Sequence, residues 1–358
     1  MSDEKQMLRD SAERFLRDNY DFADRQASVN AGEGMDANHW RAFSEMGWTA
    51  MAIPENAGGF GFGLADIAPL IELFGQYLVR EPLFESVVLA GGVVIAGSEA
   101  AQERYLPGII DGSIIATIPQ ATAAPLMAAS DSGQTRLHGD LQFVPSGGSA
   151  THLLAQVRYE EQLHWLMLDL ELPGVSRSSY PSHDGRRGAH IAVDVPFEQA
   201  SLLLSGASAD LATQALYQRA MLVAAAEGVG AMQGALDLTV EYTRQREQFG
   251  QPLASFQALQ HRMASMLIQT ELTRSLVLAA CKAWDDHADN AVQLALAAKA
   301  KVDAAARSVT QEAIQMHGGI ATTEEYRVGH YFKRTALLES WPLHRDALIA
   351  EFIKRRHP

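Results

Sequence analysis

The stretch Tyr242-Thr-Arg-Gln-Arg-Glu-Gln-Phe-Gly-Gln-Pro-Leu-Ala-Ser-Phe-Gln257 decides how the rest of the chain is read. Upstream, from about Asp210, runs one of the longest helical patterns in the sequence, and another begins at Phe256. Between them Gly250 frees the backbone and Pro252 cannot continue a helix, so residues 249–253 break the pattern. Arg244 and Arg246 fall in the last turn, where positive charge suits a helix C-terminus. Two long helices therefore meet at an elbow that carries arginines, a Phe and a Gln. Taken alone, such an elbow is equally a helix hairpin with a solvated basic end.

Working outward, the helical signal continues to the end of the chain in blocks over roughly 210–248, 256–287, 291–317 and 323–355. Low glycine and frequent Ala, Leu, Met and Gln fit packed helices. Residues 3 to about 110 also read as helical. Met7, Leu8, Ala12, Phe15 and Leu16 mark one apolar face, and Trp40, Phe43 and Met46 mark another. The glycine-rich run from Pro54 to Gly63 interrupts them and reads as a flexible connector, since it lacks the preceding strand and following Lys-Ser/Thr of a phosphate loop. Between the helical parts the character changes. The segments 114–118, 135–138, 141–144, 152–157, 164–170 and 190–195 are short, apolar or alternating, and Gly, Pro, Ser and Asp separate them. The pattern predicts an α+β fold: a helical N-terminal domain over 1–112, a β-rich middle domain over 113–205 and a C-terminal four-helix bundle over 206–358.

Composition narrows the function classes. With 47% hydrophobic and 20% charged residues the chain reads as a soluble globular protein, and a net charge of −14 argues against nucleic acid and anionic membranes as partners. The lone Cys281, in an Ala- and Leu-rich helical run, excludes an internal disulfide and reads as a buried thiol. The histidines show no metal-ligand spacing, so no metal is expected. The opening run Met1–Gln6 lacks the apolar core of a signal peptide, and no apolar run reaches the roughly 18 residues of a membrane span. A cytoplasmic protein is expected.

A second stretch, Ala313-Ile-Gln-Met-His-Gly-Gly-Ile-Ala-Thr-Thr-Glu-Glu-Tyr326, gives the elbow its meaning. Together the two runs resemble the acyl-CoA dehydrogenase family in the forms Tyr-x-x-x-Arg-x-x-Phe-Gly-x-x-x-x-x-x-Gln and Ile-Gln-x-x-Gly-Gly-x-x-x-x-x-Glu-Tyr. The segments 226–232, 256–262 and 329–334 support it. The chain is most similar to the compact small-subunit type, as in pimeloyl-CoA dehydrogenase small subunits and heteromeric enzymes of sterol side-chain breakdown.

The resemblance implies FAD as cofactor and an acyl-CoA substrate. In that chemistry a flavin takes hydride from Cβ of the thioester while a carboxylate takes the proton from Cα. Arg246 would bind the pyrophosphate as a permanent forked donor. Phe249 would pack on the adenosine side and Gln257 would hydrogen-bond the ribityl or phosphate region. Gln315 lies a turn before Gly318 and Gly319, whose backbone would approach the cofactor closely. In the family these positions reach an FAD held mainly by a neighbouring subunit, so an oligomer is implied, with an electron-transfer carrier as the acceptor.

The flavin-ring side departs from the family. The run 139–148 aligns with the family's G-x-K-x-W-I-T-N pattern, placing Phe143 at the flavin-stacking Trp and Pro145, with neither hydroxyl nor N–H, at the flavin-bonding Thr. The preceding loop, 120–131, keeps little of the family's T-E-x-x-x-G-S-D run. The base is missing from both usual seats, which fall at Leu343–His344 and near Ala220. Glu227, two turns along the same helix face, and His344 are the remaining candidates. Three readings follow: a degenerate subunit of a heteromer built with a second, related dehydrogenase subunit; an active homo-oligomer with a displaced base; and a flavin-free scaffold.

Overall fold

The computed structural model describes residues 3–120, 123–131 and 133–356. The chain opens with α1 (Asp3–Asn19), α2 (Phe22–Asn30) and α3 (Ala37–Glu45), followed by α4 (Leu64–Tyr77). A π-helical turn (Glu85–Ala90) runs into α5 (Gly91–Ile95), and α6 (Glu99–Ile110) closes the helical part. On α1 the buried face is Ala12 and Leu16, whereas Met7 is 70% exposed. Met7 lies five residues before Ala12, off the three-to-four spacing that keeps side chains on one helix face. The glycine-rich run is an ordered turn: Phe60, Gly61 and Phe62 donate backbone hydrogen bonds to Ala50, Ile53 and Met51.

Eight strands follow: β1 (Ala116–Thr117), β2 (Leu126–Asp131), β3 (Gln134–Val144), β4 (His152–Tyr159), β5 (Gln162–Asp169), β6 (Val175–Pro181), β7 (Arg187–Pro196) and β8 (Ser201–Ser205). They form one mixed sheet in the order β6-β7-β3-β2-β4-β5-β8, with β1 pairing parallel to β4. Leu137, Leu141, Leu153, Leu166 and Ile191 fill its core. Three strand expectations change. The segments 135–138 and 141–144 form a single strand, because Gly139 and Asp140 stay in register with β7. β2 occupies residues 126–131, where the sequence reads as a decayed loop. β6, with mostly exposed side chains, lacks the apolar alternation that reveals a strand.

The long α7 (Ala207–Gln245) leads to a two-stranded hairpin, β9 (Glu247–Gln248) and β10 (Gln251–Pro252). Beyond it lie α8 (Gln257–Asp285), α9 (Ala291–His317), α10 (Val328–Ser340) and α11 (Arg345–Arg356). The last predicted block is two helices, since Pro342 cannot donate the hydrogen bond a continuous helix needs. The Ala-rich α9 packs against α8, α10 and α11. Cys281 is buried on α8, and burial pushes its thiol up to about 12.

By compactness the chain divides into two units, one of residues 1–27, 63–79 and 221–358, the other of residues 28–62 and 80–220. In the first unit α4 and α7 cross with backbones nearly touching. A Cβ on Gly75 would lie 2.0 Å from the Glu227 carbonyl, and one on Gly230 would lie 1.8 Å from that of Glu72. This crossing fixes where Glu227 stands. No helix among the described residues is long and apolar enough to cross a membrane.

Candidate functional site

The elbow is a tight hairpin. Gln251 pairs with Gln248 and Pro252 with Glu247, which leaves Phe249 (φ 55°) and Gly250 (φ 80°) as a two-residue tip. Two consecutive left-handed residues match the right-handed twist of the flanking strands. A bulky residue seldom adopts this conformation. Phe249 nevertheless adopts it at the tip, with its ring 89% exposed. Arg246 stands at the hairpin base: its N–H donates to the Tyr242 carbonyl at 2.8 Å, and its own carbonyl accepts from Leu253 at 2.8 Å. Its side chain is exposed and has no acidic partner among the described residues. Gln257 opens α8 and is likewise exposed.

The glycine turn ends α9. Gly318 adopts φ 67°, ψ −141°, and its N–H closes the helix on the Ile314 carbonyl. Gln315, Gly318 and Gly319 are all exposed, and a Cβ built on either glycine would meet nothing within 4 Å. Gly318 is thus required by its backbone angle, while this chain gives no steric reason for glycine at 319. Space over the turn is open.

Elbow and turn are joined, although only sequence runs pointed to either. The Tyr242 hydroxyl donates to the His317 carbonyl at 3.3 Å, and the two rings stack with centroids 4.4 Å apart at 28°. Tyr326 flanks the stack, 5.3 Å from His317. His317 is buried, and burial lowers its pKa below the ordinary 6.5. Tyr242, His317 and Tyr326 belong to the two quoted runs, and that membership was the only sequence signal for them. A forked permanent cation, an exposed ring and an open glycine turn on one framework are the groups that a diphosphate bearing an aromatic base requires.

The β unit presents a different picture. Phe143 is half-buried where the register between β3 and β7 slips, between Leu141 and Val144. It packs over Gly188, whose missing Cβ leaves room for the ring. Pro145 offers no donor, and its carbonyl already accepts from the Thr117 hydroxyl. In the loop before β2, Ala121 and Thr122 lie outside the described residues.

Of the two base candidates, Glu227 is 4% exposed and held in a fork by Arg334 on α10. Arg334 Nε meets Oε1 and Nη2 meets Oε2, each at 2.7 Å. Both carboxylate oxygens are therefore engaged. His344 is exposed, 3.7 Å from Asp346, and its Nδ1 accepts from the Asp346 N–H at 3.4 Å as a cap on α11. The alternative seat, Ala220, is buried and apolar. Sequence reasoning also missed a buried pair on α9: Lys299 Nζ lies 2.6 Å from Asp303, whose carboxyl burial pushes up to about 6. Among the described residues no cluster of His, Cys, Asp or Glu is arranged to hold a metal.

Comparison with known proteins gives two family matches: the acyl-CoA dehydrogenase N-terminal domain over residues 2–113 and the C-terminal domain over residues 209–341. The chain is 31% identical over 351 residues to acyl-CoA dehydrogenase IpdE2 of Mycobacterium tuberculosis, covering 94% of both. It is 30% identical over 339 residues to acyl-CoA dehydrogenase IpdE2 of Mycolicibacterium smegmatis, covering 93% of both. Among solved structures, a variant of the Tcur3481–Tcur3483 steroid ACAD superposes with a TM-score of 0.87 at 28% identity, over 98% of this chain and 97% of that one.

Proposed function

Because the chain belongs to the acyl-CoA dehydrogenase family, we propose that it is one subunit of a heteromeric, FAD-dependent enzyme that oxidises the α,β bond of an acyl-CoA thioester. In this reading the chain lends its dinucleotide-gripping half to a flavin whose ring and base sit on a related partner subunit. Bound FAD supplies the hydride-accepting chemistry. This chain's residues bind and orient: Arg246 forks the diphosphate, Phe249 covers the adenosine side, Gln257 reaches the ribityl or phosphate region, and Gln315 with Gly318 and Gly319 brings backbone close to the cofactor. An electron-transfer carrier takes the electrons onward. The acyl group is of the lipid or steroid kind, in keeping with the steroid ACAD among the similar structures.

One observation carries the proposal. The cradle is exposed and open, while the seats where a base would stand hold Ala220 and His344 and the nearby Glu227 is spent on Arg334. A base must reach the proton it takes, and Glu227 is buried with both of its oxygens bonded to Arg334.

Co-expression with candidate partner subunits, read by absorbance at the flavin band, tests this. The expected result is colourless protein alone that becomes yellow and oxidises acyl-CoA once the partner is present. A yellow homo-oligomer that turns over acyl-CoA would replace the proposal with a displaced-base enzyme. Protein that stays colourless with every partner would make the chain a flavin-free scaffold.

A further inference from the structure

The elbow and the glycine turn lie far apart in sequence, and a ligand held by both needs their separation fixed. Tyr242 touches both. Its backbone carbonyl accepts the Arg246 N–H at 2.8 Å, which sets the base of the hairpin. Its hydroxyl donates at 3.3 Å to the carbonyl of His317, the residue immediately before Gly318. That carbonyl is one of the last acceptors of α9, which have no partner inside their own helix. The peptide it belongs to carries the Gly318 N–H on its other side, so the hydroxyl also governs how the turn begins. Below, the stacked ring of His317 is held by its Nδ1, 2.8 Å from the Ala313 carbonyl, and Tyr326 closes the edge at 5.3 Å. Where a Cβ would stand on Gly318 or Gly319, by contrast, no atom of the described residues lies within 4 Å.

We propose that Tyr242 is a positioning residue of the cofactor cradle: its hydroxyl bond to the His317 carbonyl holds the Gly318–Gly319 turn at the distance from Arg246 that one diphosphate spans. This rests on the FAD reading above and extends it to a residue that need not touch the cofactor.

The test uses the full-length protein in the assembled form that carries flavin, stripped of it and titrated separately with FAD, ADP and FMN. Y242F removes the hydroxyl and keeps the ring. Y326F removes a hydroxyl that makes no bond to the turn. Loss of one such hydrogen bond should weaken FAD and ADP binding about three- to tenfold. FMN binding should stay at the wild-type value in Y242F, its thermal midpoint should fall by no more than one hydrogen bond accounts for, and Y326F should bind like wild type throughout. Wild-type affinity of Y242F for both FAD and ADP overturns the proposal. So does an equal loss for ADP and FMN with a lowered midpoint, which marks a packing role only. A wild-type assembly that binds neither FAD nor ADP removes the FAD reading itself, and this inference with it.

Discussion

Two regions of the molecule differ. The proposed dinucleotide cradle has an exposed arginine, an exposed ring and an open glycine turn, and Tyr242 ties the elbow to the turn. The positions proposed for the flavin ring and the base offer little to either: Pro145 has no N–H to give, Phe143 lies in a strand irregularity, and Glu227 is sealed against Arg334. Exposed functional groups carry no packing role in the free chain, so nothing in its stability retains them. Buried ones are readily absorbed into the core as ion pairs. A surface kept open at some conformational cost, as at Phe249, therefore says more about function than a buried carboxylate does.

The contrast can be broken most forcefully at the fork. Arg334→Ala takes from the buried Glu227 its forked cation, and stability should fall by roughly 3–5 kcal/mol in denaturant titration. If Glu227 were instead the reaction's base, Glu227→Gln would abolish acyl-CoA oxidation in the assembled enzyme. The fork predicts that turnover survives and that stability alone moves.

The cradle should answer the other way round. Arg246→Ala, at an exposed side chain, should change stability by no more than about 0.5 kcal/mol. It should weaken FAD binding by about 1.5–3 kcal/mol, the range for hydrogen bonds to charged groups, as read by fluorescence titration. A loss of stability without a loss of binding would move Arg246 into the packing framework.

The two adjacent glycines divide the question more finely. Gly318→Ala should cost about 1–3 kcal/mol of stability, because φ 67° with ψ −141° lies close to a region that is essentially glycine's alone. Gly319→Ala should cost almost nothing in the thermal midpoint, since its Cβ would enter open space. In the proposed cradle FAD enters that space, so Gly319→Ala should still lower FAD affinity. Unchanged affinity would mean the cofactor does not approach there.

A pH dependence is shared by both units. Burial lowers the pKa of His152, His317 and His330. Between those lowered values and the ordinary 6.5 the unfolded chain binds more protons than the folded one, so stability falls as pH drops through about 6.5. The slope can reach at most about 1.4 kcal/mol per pH unit for each histidine. His152→Asn should remove the share belonging to the β unit, and a slope unchanged by it would place the effect in the helical unit alone.

Much of this was legible in advance because it is local. The helical blocks, the break at Gly250–Pro252 and the glycine turn follow from periodicity and backbone chemistry within a few residues, and the two runs around them carry the family. The single β3, the exposed β6 and the split between α10 and α11 were harder to read, since each depends on pairing or termination that hydropathy does not record. The exposed members of the proposed site were named from motifs, while Tyr242 and His317, 75 residues apart, touch only after folding.

The sequence by itself determined the family, the order of helical and β parts, and the residues proposed to grip a dinucleotide, because these rest on residue type and short spacing. Only the tertiary structure decided that Arg334 claims Glu227, that the space above Gly319 is open, and that one tyrosine links the elbow to the turn. Those are facts about which side chains meet when distant segments pack, and a carboxylate's chemistry depends on who its neighbour is.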